Sequence, residues 1–128
     1  MGGPDRASEF TVACARRKGA VVIMIGGELD RNAAPVLRAQ LRQAWDLDPS
    51  ALVVDVTAVT MCDSTGLSEL ITALQRCQHN ETPLVLTGVQ GMMQRVLTIT
   101  GLRRAFDVYT SVDDALRELT GDLPRAVT

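Results

Sequence analysis

The chain is poor in most of the residues from which reactive sites are built. It has one histidine, two phenylalanines, one tryptophan and one tyrosine, and aromatics make up only 3%. Its core must therefore be assembled from Val, Leu, Ile, Ala and Met. Three cysteines, Cys14, Cys62 and Cys77, are an odd number without C-x-x-C spacing, which argues against a disulfide framework or a zinc site. No His/Cys/Asp grouping has metal-ligand spacing, and no cofactor is expected. Neither a Walker loop nor G-x-G-x-x-G occurs, so a small-molecule or nucleotide-binding reading has no phosphate cradle to rest on. Thirteen basic against fifteen acidic residues leave a net charge of −2, which gives no electrostatic reason to bind nucleic acid directly. The one basic run, Arg16-Arg17-Lys18, is short and reads as a solvated hairpin turn. No apolar stretch reaches membrane-span length, and the N-terminus has no signal-peptide core. Arg6 stands where a myristoylation signal wants Ser or Thr. A cytoplasmic protein without membrane contact is expected.

What is present is the pattern of one α/β domain. At 128 residues, 46% hydrophobic and 22% charged, the chain is long enough to bury a sizeable core. Residues 1–8 are polar and Gly-rich and read as a loose N-terminus; one domain is expected over 9–121, with 122–128 as a C-terminal tail. Phe10–Ala15 and Ala20–Ile25 read as two strands of a hairpin, with Gly26–Asp30 as a loop. Asn32 is placed to cap a helix that carries Pro35 in its first turn, with Leu37, Leu41, Ala44 and Trp45 on one face. Asp48-Pro49-Ser50 breaks that helix. Ala51–Val56 is almost wholly aliphatic, as for a strand buried on both faces. A helix from Ser64 to about His79 follows, with Leu67, Leu70, Ile71, Leu74 and Cys77 inward. Leu84–Thr87 reads as a strand, and a helix near Gly91–Thr100 is closed by Gly101 and Leu102. Asp107–Tyr109 is a last strand, and Ser111-Val112-Asp113-Asp114 is a capping box for a terminal helix ended by Gly121. The predicted fold is α/β: a mixed, mostly parallel sheet with an N-terminal antiparallel edge, packed by about four helices.

The junction at Cys62-Asp63-Ser64-Thr65-Gly66-Leu67 is the most informative stretch. Asp, Ser and Thr are the types that cap helix starts, and Gly66 is expected to leave the first turn open to another molecule. A nucleophile elbow would need glycine two residues before the serine, and Cys62 stands there. His79 lies fifteen residues beyond Ser64, roughly 20 Å along one helix, too far to serve as its base. The Asp-Ser-Thr-Gly spacing also departs from the aspartic-protease Asp-Thr-Gly, and there is no second copy. Ser64 and Thr65 therefore read either as simple caps or as phosphate acceptors at a helix N-terminus that tolerates negative charge. Cys62 reads either as a redox-sensitive thiol or as a small buried apolar residue.

Three stretches in order give the chain a family likeness. Gly27-Glu28-Leu29-Asp30, then Val53-Val54-Asp55-Val56 through Asp63-Ser64-Thr65-Gly66-Leu67, then Val96–Leu102 with Phe106, Val108, Tyr109 and Ala115-Leu116, together resemble a STAS domain of the anti-sigma factor antagonist family. The resemblance spans about Gly19 to Leu119. It implies a regulator that is not itself an enzyme. Unmodified, such a protein binds an anti-sigma factor that is also a serine kinase of the GHKL type, and a sigma factor is released. The kinase uses ATP to phosphorylate the serine after the Asp, here Ser64, and a phosphatase resets it. Thr65 replaces the serine common at its position. The implied contact surface combines Asp30, Asp63, Ser64, Thr65 and Gly66 with the outer face of the Asn32–Trp45 helix. Asp30 and Asp63 either tune the acceptor hydroxyl or merely cap loops. A STAS subunit of a transporter-associated or stressosome-type assembly is the alternative reading.

Overall fold

The computed structural model describes residues 9–120. The segments expected to be an N-terminus outside the domain and a C-terminal tail, and the expected helix stop at Gly121, lie outside the described residues. The chain opens with a hairpin of β1 (Thr11–Arg17) and β2 (Ala20–Leu29). Lys18 (φ 54°) and Gly19 (φ 87°) both have positive φ, the two-residue turn whose twist matches that of the flanking strands. Next come α1 (Ala34–Asp46), β3 (Leu52–Cys62), α2 (Ser64–His79) and β4 (Leu84–Thr87). The chain continues through α3 (Gly91–Ile99), a 3-10 turn (Leu102–Arg104), β5 (Asp107–Tyr109) and α4 (Val112–Thr120). The five strands form one sheet in the order β1-β2-β3-β4-β5. Only β1–β2 is antiparallel; the other pairs are parallel. The expected fold class is thus the observed one.

Alternating side chains divide the core into two layers, as the period of a strand requires. Val21, Ile23 and Ile25 of β2, with Leu52, Val54 and Val56 of β3, face α1, α2 and α3. Ala20, Val22 and Val53 face the other way, against Ala115 and Leu116 of α4. On α2 the buried stripe is Leu67, Leu70, Ala73 and Cys77, while Ile71 and Leu74 are half-buried at its margin. Gly101 takes the left-handed conformation (φ 79°) that ends α3, and Leu102 packs back on the larger core. Of the capping box, one half forms: the Asp114 N–H donates to Ser111 Oγ at 3.1 Å, while the Asp114 carboxylate pairs with Arg117.

Three local expectations are corrected. The Gly26–Leu29 segment is strand rather than loop. It pairs with Ala58–Cys62 through two register shifts, with Gly27 at φ 83°, so glycine supports bulges there rather than ending the strand. Strand β3 accordingly runs on to Cys62 instead of stopping at Val56. Asn32 does not cap α1. The N-cap is Ala33, which has no side-chain cap bond, and the turn before it is tied by Asp30.

Candidate functional site at the start of α2

Two aspartates build the loops that meet at Ser64. Asp30 follows the last residue of β2, and its Oδ1 accepts the N–H groups of Asn32 and Ala33, each at 3.0 Å. Its carbonyl accepts Ala33 and Ala34 N–H as well, so one residue folds the whole turn into α1. Asp63 is the N-cap of α2. Its Oδ1 accepts Gly66 N–H at 2.8 Å, and its Oδ2 accepts Arg31 N–H at 3.2 Å. Asp63 N–H donates to the Leu29 carbonyl at 3.1 Å. This carboxylate therefore joins two loops while satisfying a helix end, the usual work of an N-cap.

Gly66 holds the junction together from within, which corrects the expectation that it stays open for a partner. It is buried, and a Cβ built on it would lie 2.2 Å from the Leu29 carbonyl oxygen. The close approach is between α2 and the chain's own β2. A substitution there, including the large Gly66→Trp, strikes the fold rather than a docking face.

With both aspartates bound to backbone amides, neither accepts a hydrogen bond from the Ser64 hydroxyl among the described residues. Of the two readings kept for Asp30 and Asp63, loop capping is the one seen. Ser64 itself is exposed at the first position of a 16-residue helix, and its carbonyl accepts the Ser68 hydroxyl at 2.8 Å. Thr65 is half-buried and lines a shallow cleft of about 260 Å³ with Asp30, Arg31, Asn32, Met61 and Asp63. Ser64 is thus the more exposed of the two hydroxyl-bearing residues. An anion placed there would meet the positive end of the α2 dipole.

The neighbouring thiol takes no part in exposed chemistry. Cys62 is buried, and burial together with the Asp63 charge pushes its pKa up to about 11. Cys77, buried under α2, is pushed up to about 12 by burial. A protonated thiol is a poor nucleophile, so Cys62 behaves as the small apolar residue of the two readings. Cys14 is exposed on β1. His79 is exposed near the far end of α2. Among the described residues no group of three or more His, Cys, Asp or Glu could hold a metal ion. No helix among them is long and apolar enough to cross a membrane.

Two features of the site escaped the sequence: the Leu29 carbonyl that receives Asp63, and the Arg31 amide that binds it from the other loop. Both are backbone groups brought in by tertiary folding, and no side-chain pattern announces them.

The comparisons with known proteins bear on the fold and the family. The STAS domain family model matches residues 11–115. The anti-sigma-F factor antagonist RsfB of Mycobacterium tuberculosis is 30% identical over 122 residues, covering 94% of this chain and 96% of its own. The crystal structure of an anti-sigma factor antagonist from Mycobacterium paratuberculosis superposes with a TM-score of 0.80 at 28% identity, covering 93% of this chain and 98% of that one. The anti-sigma factor antagonist SpoIIAA in its unphosphorylated form shares the fold, with a TM-score of 0.73 at 18% identity and coverage of 88% and 97%. A five-stranded sheet, an aspartate-capped helix with serine at its tip and these relatives lead to one assignment: the chain belongs to the STAS domain family, among the anti-sigma factor antagonists.

Proposed function

We propose that this protein is a partner-switching antagonist whose state is written on Ser64. In the unmodified state it binds an anti-sigma factor serine kinase of the GHKL type and so frees a sigma factor. The kinase then transfers a phosphoryl group from ATP to Ser64, and the complex comes apart; a phosphatase restores the hydroxyl. The chain acts by binding and contributes no catalysis of its own. Its place of work is the cytoplasm, where sigma factors act.

One observation carries the reading: an exposed serine hydroxyl at the tip of a helix whose cap is already supplied by Asp63. Among the described residues its hydroxyl makes no hydrogen bond that modification would break. Phosphate adds roughly −1.5 to −2 charges at neutral pH. At about 6 Å from one partner carboxylate, each unit charge costs about 0.7 kcal/mol in water and about 3 kcal/mol at an effective dielectric near 20. That spans a few-fold to more than a hundredfold in affinity, enough to release a partner. The cost falls on the complex and not on the fold, because the helix end favours the anion. Half-buried Thr65, Asp30 and Asp63 form the rest of the proposed contact rim, with the outer face of α1 beside it.

The test is to incubate the protein with a candidate kinase and ATP and to locate the phosphate by mass spectrometry. Phosphate on Ser64 is the expected result. A kinase that binds the protein tightly yet modifies another residue, or none, would contradict the proposal.

A further inference from the structure

A second feature of α2 lies farther along the same helix and is not explained by the acceptor. Arg38 of α1 grips Glu69 of α2 through its Nε, 3.3 and 3.2 Å from the two carboxylate oxygens, and through its Nη2. Arg76 of α2 lies over Trp45 of α1, 5.0 Å from the ring centroid. The two contacts are seven residues apart on both helices, from 38 to 45 and from 69 to 76. Hence α1 and α2 run side by side in the same direction, and two rungs roughly 10 Å apart cross the gap between them.

Between the rungs is an open box of about 360 Å³. Its floor is Leu41 and Ala73, both buried; Arg42 and Thr72 stand exposed at its walls. Arg38 is already matched by Glu69, but neither Arg42 nor Arg76 makes an ion pair among the described residues, Arg76 lying over the Trp45 ring. The box therefore carries two unneutralised cations over an apolar floor, in a chain whose net charge is −2. The strip from Ser64 through Ser68 to Thr72 is exposed along one ridge of α2, at i, i+4 and i+8, about 12 Å in length. A protein that covers Ser64 and follows this ridge arrives at the box.

We propose that this box receives an acidic side chain, flanked by aliphatic residues, from the protein partner that meets Ser64. Arg42 supplies the cation, Arg76 the second, and Leu41 with Ala73 the apolar contact. Glu69 plays the opposite part. It neutralises Arg38 and leaves two cations, too few to balance the several charges of a nucleotide, so a single protein carboxylate beside aliphatic groups suits the box better. The inference rests on the proposed function only in taking Ser64 as the place where the partner binds.

Trp45 is the sole tryptophan and lines the box, so its emission is a probe of what enters there. The experiment titrates the full chain, and separately its Arg42→Glu variant, with a synthetic amphipathic helical peptide rich in Glu and Leu. A Lys- and Leu-rich counterpart, ATP and inorganic phosphate serve as comparison probes. The acidic peptide is expected to shift Trp45 emission with sub-millimolar affinity, weakening as salt is raised. Arg42→Glu should cut that affinity about tenfold or more. Arg42 is exposed, so the variant should fold normally; Arg42→Gln, which removes charge without reversing it, should give a smaller loss. No response to the acidic peptide, an equal response to the basic one, a stronger response to ATP or phosphate, or an unchanged affinity in Arg42→Glu would each overturn the proposal. None of these readouts depends on phosphorylation of Ser64. A chain that binds the peptide yet is never phosphorylated would sink the switch and spare the box; a silent Trp45 beside a modified Ser64 would do the reverse.

Discussion

Two aspartate–hydroxyl clusters, one within β3 and one just beyond its end, have opposite fates. Midway along β3, Asp55 Oδ1 accepts the hydroxyls of Thr57 and Thr87, each at 2.8 Å. Thr87 is fully buried, and Gly88 presses so close that a Cβ there would lie 1.8 Å from Thr57 Oγ1. Immediately after β3, Asp63 takes its hydrogen bonds from the backbone amides of Gly66 and Arg31, and Ser64 is left exposed. In the first cluster the hydroxyls feed the carboxylate and become structure. In the second the backbone feeds it, and the hydroxyl remains available. Availability, more than the company of an Asp, distinguishes the proposed acceptor from a brace.

The comparison can be broken in graded steps. The largest effect should come from Gly66→Ala. Its new Cβ would have to displace the Leu29 carbonyl, so denaturant unfolding should report a loss of about 3 kcal/mol, at the upper end of overpacking costs. Thr87→Val keeps the shape and removes one donor from Asp55. It should destabilise by about 1–2 kcal/mol in the same assay while leaving any reaction at Ser64 intact. Asp63→Ala removes the α2 cap and the tie to Arg31, at a cost of about 1 kcal/mol. Paired with it, Ser64→Ala should change stability by less than about 0.5 kcal/mol and yet abolish phosphorylation, since that hydroxyl makes no hydrogen bond among the described residues.

The smallest effect concerns the thiols. Burial holds Cys62 and Cys77 up to about 11 and 12, above the ordinary value of 9.0, so both stay protonated near neutral pH as well as covered, whereas Cys14 is exposed. Alkylation of the native chain near pH 8 should label Cys14 first, whereas equal labelling of all three would contradict the burial argument. The sign of the linkage follows. Folded thiols keep their protons to higher pH than unfolded ones, so this contribution to stability is intact below about pH 9. It is lost as the pH rises through the folded values toward about 12.

Much of this architecture is legible in the residues because local chemistry and tertiary need agree. The apolar run of β3, the aspartate cap of α2 and the left-handed Gly101 each declare themselves within a few residues. The misreadings share a cause. Gly26 and Gly27 look like a loop until parallel pairing with Ala58 and Val59 holds them in a bulged strand. Asn32 is a better cap by type than Ala33, but Asp30 already binds the amides of that turn. Gly66 does announce a close approach, yet nothing local says that the approaching atom is the carbonyl of Leu29. The Arg38–Glu69 and Trp45–Arg76 rungs are equally invisible until α1 and α2 are laid side by side.

The central claim is that charge added at one solvent-facing oxygen undoes binding without undoing the fold. Calorimetric titration of the unmodified and the Ser64-phosphorylated chain against the same anti-sigma factor kinase tests it most directly, with circular dichroism recorded on both. The account predicts at least a several-fold weaker affinity for the phosphorylated chain, and superimposable spectra. Equal affinities, or a phosphorylated chain that has lost its helical signal, would contradict it.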